Sequence, residues 1–277
     1  MGDVMIRAEN LFYSYDGGRR FSLKGLSLEI RRGERVALMG ANGSGKSTFF
    51  LCCNGLLRPS RGVLYLDGKP ADYSKKGLLE LRRRVGIVFQ DPDSQLFFAD
   101  IRQEIAFGLM NLKVPEREAE EAVEEIIRRL GIEAYRDFPT HALSGGQKKQ
   151  VSLADVLVMR PDAVLLDEPA ASLDVRHRQI LEETVEGMAK EGITVVTATH
   201  DEDYALRWAD RVIILKSGRV LAQGEPELIF RDRELLEEAG LRQPAVLRLF
   251  ERLRESGALR KGMKTPRSME ELEKGIL

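Results

Sequence analysis

Gly40-Ala41-Asn42-Gly43-Ser44-Gly45-Lys46-Ser47 is the stretch that decides how this chain is read. It fits G-x-x-x-x-G-K-[ST], a phosphate-binding loop. Residues 34–39 ahead of it form an apolar run that predicts a buried strand, and residues 46–53 behind it predict a helix. Strand, glycine turn and helix start are the context the motif requires. Glycines let backbone N–H groups close around a phosphate, and the helix N-terminus adds the positive end of its dipole. Lys46 is then expected to reach the β- and γ-phosphates of a nucleotide and Ser47 to bind Mg²⁺, with Thr48 completing the cradle.

The rest of the chain bounds what such a loop can belong to. Its 277 residues suffice for one large or two smaller domains. A composition 43% hydrophobic and 31% charged predicts a globular protein with a real core. The formal net charge of −1 provides no global field for nucleic acid, which is not expected as a partner. No apolar run reaches the ~18 residues of a membrane span. Met1-Gly2-Asp3-Val4-Met5-Ile6-Arg7 does not read as a signal peptide. The expected location is therefore the cytoplasm, unless a partner holds the chain at a membrane. Cys52 and Cys53 are adjacent, where a mutual bridge is strained, and read as small buried hydrophobes.

Working outward from the loop, residues 4–11 and 22–30 alternate as strands around the turn Asp16-Gly17-Gly18. Residues 62–68 read as a strand closing in a tight turn, 78–84 as a helix and 85–89 as a short apolar strand. From residue 101 to about 160 the character turns helical: Ala119, Ala122, Val123, Ile126, Ile127 and Leu130 share one face. Residues 163–167 and 193–200 have the continuous apolar look of buried parallel strands, with a helix at 175–190 between them. Residues 211–215 and 218–224 finish as a hairpin-like pair. After about residue 230 only helices are expected: 234–241, 244–256 and, at 269–274, a short helix or a frayed tail. Strands alternating with helices imply an α/β core, whose ligands bind beyond the carboxyl ends of the strands.

Gln90, Asp167 and His200 each stand at such an end. Asp167 suits a second Mg²⁺ contact, and Glu168 beside it can orient or deprotonate an attacking water. His200 can hydrogen-bond a γ-phosphate, and Gln90 can ligate Mg²⁺ or hold the water. Taken singly, each has an ordinary reading: an acid pair as a helix cap, a structural histidine, a polar loop residue.

Leu143-Ser144-Gly145-Gly146-Gln147 changes that balance, because it resembles the signature motif of ATP-binding-cassette (ABC) ATPases. The family's other elements follow in order: the Walker A loop at Gly40 to Ser47, the Q-loop at Gln90, the signature, Walker B at Val164 to Asp167 with Glu168, the D-loop at Ser172-Leu173-Asp174 and the H-loop at His200. Tyr15 stands where the family's A-loop aromatic stacks on adenine. The resemblance covers roughly residues 5–230. It implies an α/β P-loop NTPase with a RecA-like core, an N-terminal antiparallel β-subdomain and an inserted helical subdomain at about 91–160. Residues 1–230 would form the ATPase domain, and 231–277 a dimer-stabilising helical C-terminal extension. It further implies two ATPase chains facing head to tail, each ATP lying between one chain's P-loop and the other's signature. Ser144, Gly145, Gly146 and Gln147 would then serve the partner's γ-phosphate, and Asp174 would link the two sites.

Three further stretches resemble the cobalt-type and energy-coupling-factor group: Cys53-Asn54-Gly55-Leu56-Leu57-Arg58-Pro59, the Q-loop run Gln90-Asp91-Pro92-Asp93-Ser94-Gln95-Leu96-Phe97, and residues 235–244. Membership implies an ATPase on the cytoplasmic side of a membrane, driving an integral T-component and, through it, a substrate-binding membrane subunit for a transition-metal ion or a vitamin. The T-component's helices would dock near residues 92–107, where Leu96, Phe97, Phe98, Ile101 and Ile105 are apolar; plain core packing is the other reading of those side chains. One kind of chain tips the expectation toward a homodimer. The competing reading is a lone ABC ATPase of an iron–sulfur assembly system, uncoupled from transport. Two departures stand out: Gln150 where the family usually has Arg, and Ala170-Ala171-Ser172-Leu173-Asp174 where it usually reads T-A-G-L-D.

Overall fold

The computed structural model describes residues 3–260 and 262–276. Its first layer is an antiparallel sheet made by β1 (Val4–Tyr13), β2 (Leu23–Arg31), β4 (Arg61–Leu66) and β5 (Lys69–Pro70), in the order β2-β1-β4-β5. The second is a six-stranded sheet containing β3 (Arg35–Met39), β6 (Val85–Val88), β7 (Ala163–Asp167), β8 (Thr194–Ala198), β9 (Arg211–Lys216) and β10 (Arg219–Gly224), in the order β10-β9-β3-β8-β7-β6. Only β10 runs against its neighbour; β9, β3, β8, β7 and β6 are mutually parallel.

The parallel strands read as unbroken apolar runs because both of their faces are covered. Val36, Leu38, Leu165, Val196 and Ile213 point into one cluster, which is shared with the antiparallel sheet and α1 (Lys46–Cys53). Ala37, Met39, Val164, Leu166, Val195 and Ile214 point into the other. Helix α1 lies inside the first cluster, with Phe49, Phe50, Cys52 and Cys53 all 0–1% exposed. Burial of each phenylalanine contributes roughly 1.5–3 kcal/mol. That fixes the helix whose N-terminus carries the P-loop. Both cysteines are free and buried, and burial pushes the Cys52 thiol up to about 12, so neither forms thiolate near neutrality.

The opposite face of the sheet receives α6 (Val175–Lys190), α7 (Glu202–Trp208) and the helical insert, α3 (Ile101–Asn111), α4 (Glu116–Arg129) and α5 (Gly145–Leu157). α2 (Lys75–Arg84) leads into β6. Two glycines let α5 and the turn after it sit close: a Cβ on Gly86 would come 2.1 Å from Val156 Cγ1, and one on Gly108 2.6 Å from Met159 Sδ. The two sheets are tied at one end by charge. Asp67 and Asp162 share Arg32 and Arg84, with Arg84 Nε 2.6 Å from Asp162 Oδ2.

The last helices are α8 (Pro226–Ile229), α9 (Arg233–Ala239), α10 (Ala245–Glu255) and α11 (Met269–Glu273). Phe230, Leu236, Val246, Leu247, Phe250, Leu259 and Leu272 join the same apolar cluster as the helical insert and α6. Of the two sequence readings for residues 269–274, helix or frayed tail, the helix is the one present, and Leu272 is 0% exposed. Arg267 clamps the segment down. Its guanidinium donates to both Glu227 oxygens (2.6 and 2.8 Å) and to the Ala209 carbonyl (3.0 Å).

Candidate nucleotide site

Between β3 and α1 the chain must turn sharply around a point, and the glycines are placed where nothing else fits. Gly40 has φ 134°, and a Cβ there would lie 2.1 Å from the Leu215 carbonyl oxygen. Gly45, the residue capping α1, has φ 112° and sits against the Ser22 carbonyl. The Ser44 carbonyl accepts from Gly218 N (2.8 Å), so the β9–β10 turn braces the loop. Ser44 Oγ is buried with no hydrogen-bond partner, an orphaned polar atom in a cradle of backbone donors. Lys46, 6% exposed, holds its ammonium 2.6 Å from the Gly40 carbonyl oxygen; burial pushes its pKa down while Glu168 and Asp167 pull it back up.

Three strand ends bring the acid, the histidine and the loop together. Asp167 closes β7 at 8% exposure. Glu168 follows with φ 43°, a left-handed conformation that a β-substituted residue holds at a cost of roughly 1–2 kcal/mol. The Glu168 N–H donates to the Ala198 carbonyl of β8 (3.0 Å), which pins that turn. His200, just past β8, places Nε2 3.0 Å from Asn42 Oδ1 and 3.1 Å from Glu168 Oε1. The second approach lacks hydrogen-bond alignment, so Glu168 Oε1 is itself without a partner. Burial raises the Glu168 carboxyl; the nearby Lys46 charge opposes this and Asp167 reinforces it. Burial and Lys46 both lower His200. A carboxyl made more basic by burial, beside an imidazole made less so, suits proton transfer from water.

Gln90 is exposed beyond β6, with Asp167 at the adjacent strand end and Ser47 exposed in the first turn of α1. These three offer only oxygen donors, the hard set that Mg²⁺ takes, so the residues present fit that ion. Tyr15 is 61% exposed, packs edge-on against Tyr13 at 4.9 Å and sets its hydroxyl 3.3 Å from Thr48 Oγ1. Its ring face is therefore open beside the loop, where an adenine could stack.

The signature is placed elsewhere. Ser144 and Gln147 cap α5 reciprocally: Gln147 N donates to Ser144 Oγ (3.3 Å), and Ser144 N to Gln147 Oε1 (2.8 Å). Ser144 and Gly145 are exposed, and among the described residues no hydrogen bond or ion pair joins residues 144–147 to residues 40–47. Asp174 caps α6, accepting from His177 N (2.8 Å).

Several residues hold these parts in place in ways the sequence did not indicate. Lys149, 2% exposed, reaches from α5 to the Phe89 and Gln90 carbonyls (2.6 and 2.7 Å), and burial takes its pKa down to about 8. Gln95 bridges Phe89 N and the Ser152 carbonyl. Gln150, the departure from Arg, accepts from the Tyr135 hydroxyl (2.9 Å) and donates to the Leu130 carbonyl (3.2 Å). The other departure, Ser172, holds φ 62°, a conformation that glycine adopts freely.

Residues 23–171 match the family described as ABC transporter. With that match, the P-loop and the strand-end cluster, the chain belongs to the ABC transporter ATP-binding family, and it is an ATPase. Within the family its relatives narrow the group. It is 46% identical over 92% of its length to an energy-coupling factor transporter ATP-binding protein of Clostridium perfringens, covering 90% of that protein. It is 45% identical over 91% of its length to the corresponding protein of Methanothermobacter thermautotrophicus, covering 81% of it. Among solved structures, cbiO1 of Clostridium perfringens, described as part of the ABC transporter complex cbiONQ, superimposes with TM-score 0.75 at 46% identity. The match covers 90% of this chain and 99% of that one. The cassette MJ0796, solved as a dimer bound to ADP and Pi, superimposes with TM-score 0.72 at 29% identity, over 80% of this chain and 99% of that one. The chain thus belongs with the energy-coupling factor transporter ATP-binding proteins.

Proposed function

We propose that this chain hydrolyses ATP as one half of a head-to-tail pair, favoured as a homodimer, on the cytoplasmic face of a membrane. It would there power import of a transition-metal ion such as cobalt or nickel, or of a vitamin. The observation that carries this reading is the separation of parts. The P-loop, Glu168 and His200 form one cluster, while among the described residues the capped start of α5 makes no hydrogen bond or ion pair to that cluster. Gln147 N is taken up by the cap, but among the described residues the N–H groups of Gly145 and Gly146 have no hydrogen-bond partner, which suits a phosphate held by another chain.

In this reading Lys46 leaves the Gly40 carbonyl for the β- and γ-phosphates, and the N–H groups of residues 40–48 wrap the phosphate chain. Glu168 orients the attacking water and takes its proton, and His200 donates to the γ-phosphate. Ser47, Gln90 and Asp167 would hold Mg²⁺, which when bound neutralises developing phosphate charge. Asn42 fixes the imidazole from the loop side. Ser144, Gly146 and Gln147 complete the partner's site, so ATP favours the closed pair and hydrolysis releases it.

Docking of a membrane T-component is assigned to the Q-loop side. A cleft of about 200 Å³ there has Phe97, Phe107, Ile87 and Met159 in its lining, together with Glu104 and Asp155. Of the five apolar side chains expected there, Ile101 and Ile105 are 0% exposed and belong to the core, with Leu96 packed against it, so plain core packing accounts for them; Phe97, 78% exposed, is the one that supports docking on this stretch. Among the described residues no helix is long and apolar enough to cross a membrane, so attachment would come through this cleft.

The test is Glu168→Gln. Hydrolysis should fall at least ~100-fold, the lower range for a general base, and ATP should trap a dimer visible by light scattering. Turnover at the wild-type rate would refute the assignment.

A further inference from the structure

The start of α5 and the D-loop meet through one side chain. His177 stands in the first turn of α6, and its Nδ1 lies 2.9 and 3.0 Å from the two oxygens of Asp174. Its own N–H also donates to Asp174 Oδ1. The ring is therefore held at two points of the same carboxylate, and only 22% of the side chain is exposed. Its other edge rests on the signature. A Cβ built on Gly146 would fall 2.3 Å from both Cγ and Cδ2 and 2.8 Å from Nδ1. Gly146 has no left-handed φ that would demand glycine, so within the free chain it is the imidazole that excludes a side chain there.

We infer that His177 is a positioning residue that locks the signature to the D-loop, so that Ser144–Gln147 and Asp174 are offered to a partner's nucleotide as one rigid body. The inference rests on the head-to-tail reading above. Its physical content is preorganisation: two elements that must engage the same partner are ordered before closure, which lowers the entropy lost on binding. The ring contributes shape, the Asp174 bond contributes direction, and each can be removed separately.

The experiment uses the full chain carrying Glu168→Gln, with ATP-driven dimer affinity measured by sedimentation and nucleotide affinity of the monomer by fluorescent ATP-analogue binding. His177→Ala should weaken the dimer about tenfold, a plausible size for one coupling contact, and leave monomer nucleotide binding unchanged. His177→Asn restores an N–H donor near the Nδ1 position and should recover part of that loss. His177→Phe keeps the ring without the bond and should fall between. Thermal melts of the monomer add a cycle independent of dimerisation. Gly146→Ala should lower Tm in the parent, and that loss should shrink by at least half when His177 is also Ala. Unchanged dimer affinity in His177→Ala, or strictly additive melts, overturns the inference. Absence of any ATP-driven dimer in the parent instead overturns the head-to-tail reading, and the inference with it.

Discussion

Glu104→Ala asks how firmly the proposed docking loop is held. Glu104 is 4% exposed in the first turn of α3, and one of its oxygens, Oε2, accepts from both Phe97 N (2.7 Å) and Phe98 N (2.5 Å). Thr140 secures the same stretch from the other side, its N–H donating to the Ala99 carbonyl (2.9 Å) and its hydroxyl to that of Phe98. A hydrogen bond to a charged group contributes about 1.5–3 kcal/mol, so the pair is worth up to roughly 3–6 kcal/mol. Two effects reduce that. Burial raises the Glu104 carboxyl, so the charge carries a desolvation cost that the substitution removes. Phe97 is 78% exposed, so its amide regains water. A net cost of about 2 kcal/mol remains, and because it falls on local opening of residues 97–98 it should speed amide exchange there ~30-fold. Glu104→Gln keeps an acceptor oxygen and should lose less than ~1 kcal/mol. Hydrogen exchange by NMR or mass spectrometry reads both variants, with residues 163–167 of β7 as the internal reference. Equal exchange at residues 97 and 98 in wild type and Glu104→Ala would refute the latch.

Burial pushes the Asp155 carboxyl well up, with Glu104 adding to the push. The folded state therefore holds its proton more tightly than the unfolded chain. The stability linked to that proton is complete below the ordinary carboxylate range and is lost as pH rises through the elevated folded value. Asp155→Asn should flatten the decline of urea-unfolding free energy measured from pH 5 to 8, and parallel slopes for the two proteins would count against it. Ser172→Gly should relieve ~1–2 kcal/mol of left-handed strain against a loss of about 0.5–1 kcal/mol to unfolded-chain entropy. The melting temperature should therefore hold or rise; a fall would mean the Ser172 side chain contributes something the backbone angle does not reveal. Arg267→Ala removes a two-pronged contact to Glu227 and a bond to the Ala209 carbonyl. Discounted for partial exposure, its cost is about 2 kcal/mol, and limited proteolysis should reach residues 260–276 first. Wild-type protease resistance would show that Leu272 and its neighbours hold the segment alone.

The sequence exposed the site because its chemistry is local. Glycines at 40, 43 and 45, the lysine after them, and polar residues at the ends of apolar runs each state their conformation or environment within a few residues. The core strands were legible for the same reason: burial on both faces removes polar alternation and leaves runs such as Ala163-Val164-Leu165-Leu166 ending in Asp167. The resemblance to a known family then ordered these parts, but it did not supply distances.

What the sequence determined alone was the inventory: a phosphate cradle, an acid pair, a histidine and a Ser-Gly-Gly-Gln signature. Tertiary structure decided which of these meet. His200 lies beside both Asn42 and Glu168, 158 and 32 residues away, only because β3, β8 and β7 are adjacent and parallel. Lys149 clamps the Q-loop, and His177 rests on Gly146, through contacts that no periodicity encodes. The phosphate loop and the signature, each complete in sequence, were left apart. Backbone geometry within a few residues is written in side-chain type, whereas proximity between distant segments depends on how both faces of one sheet are filled.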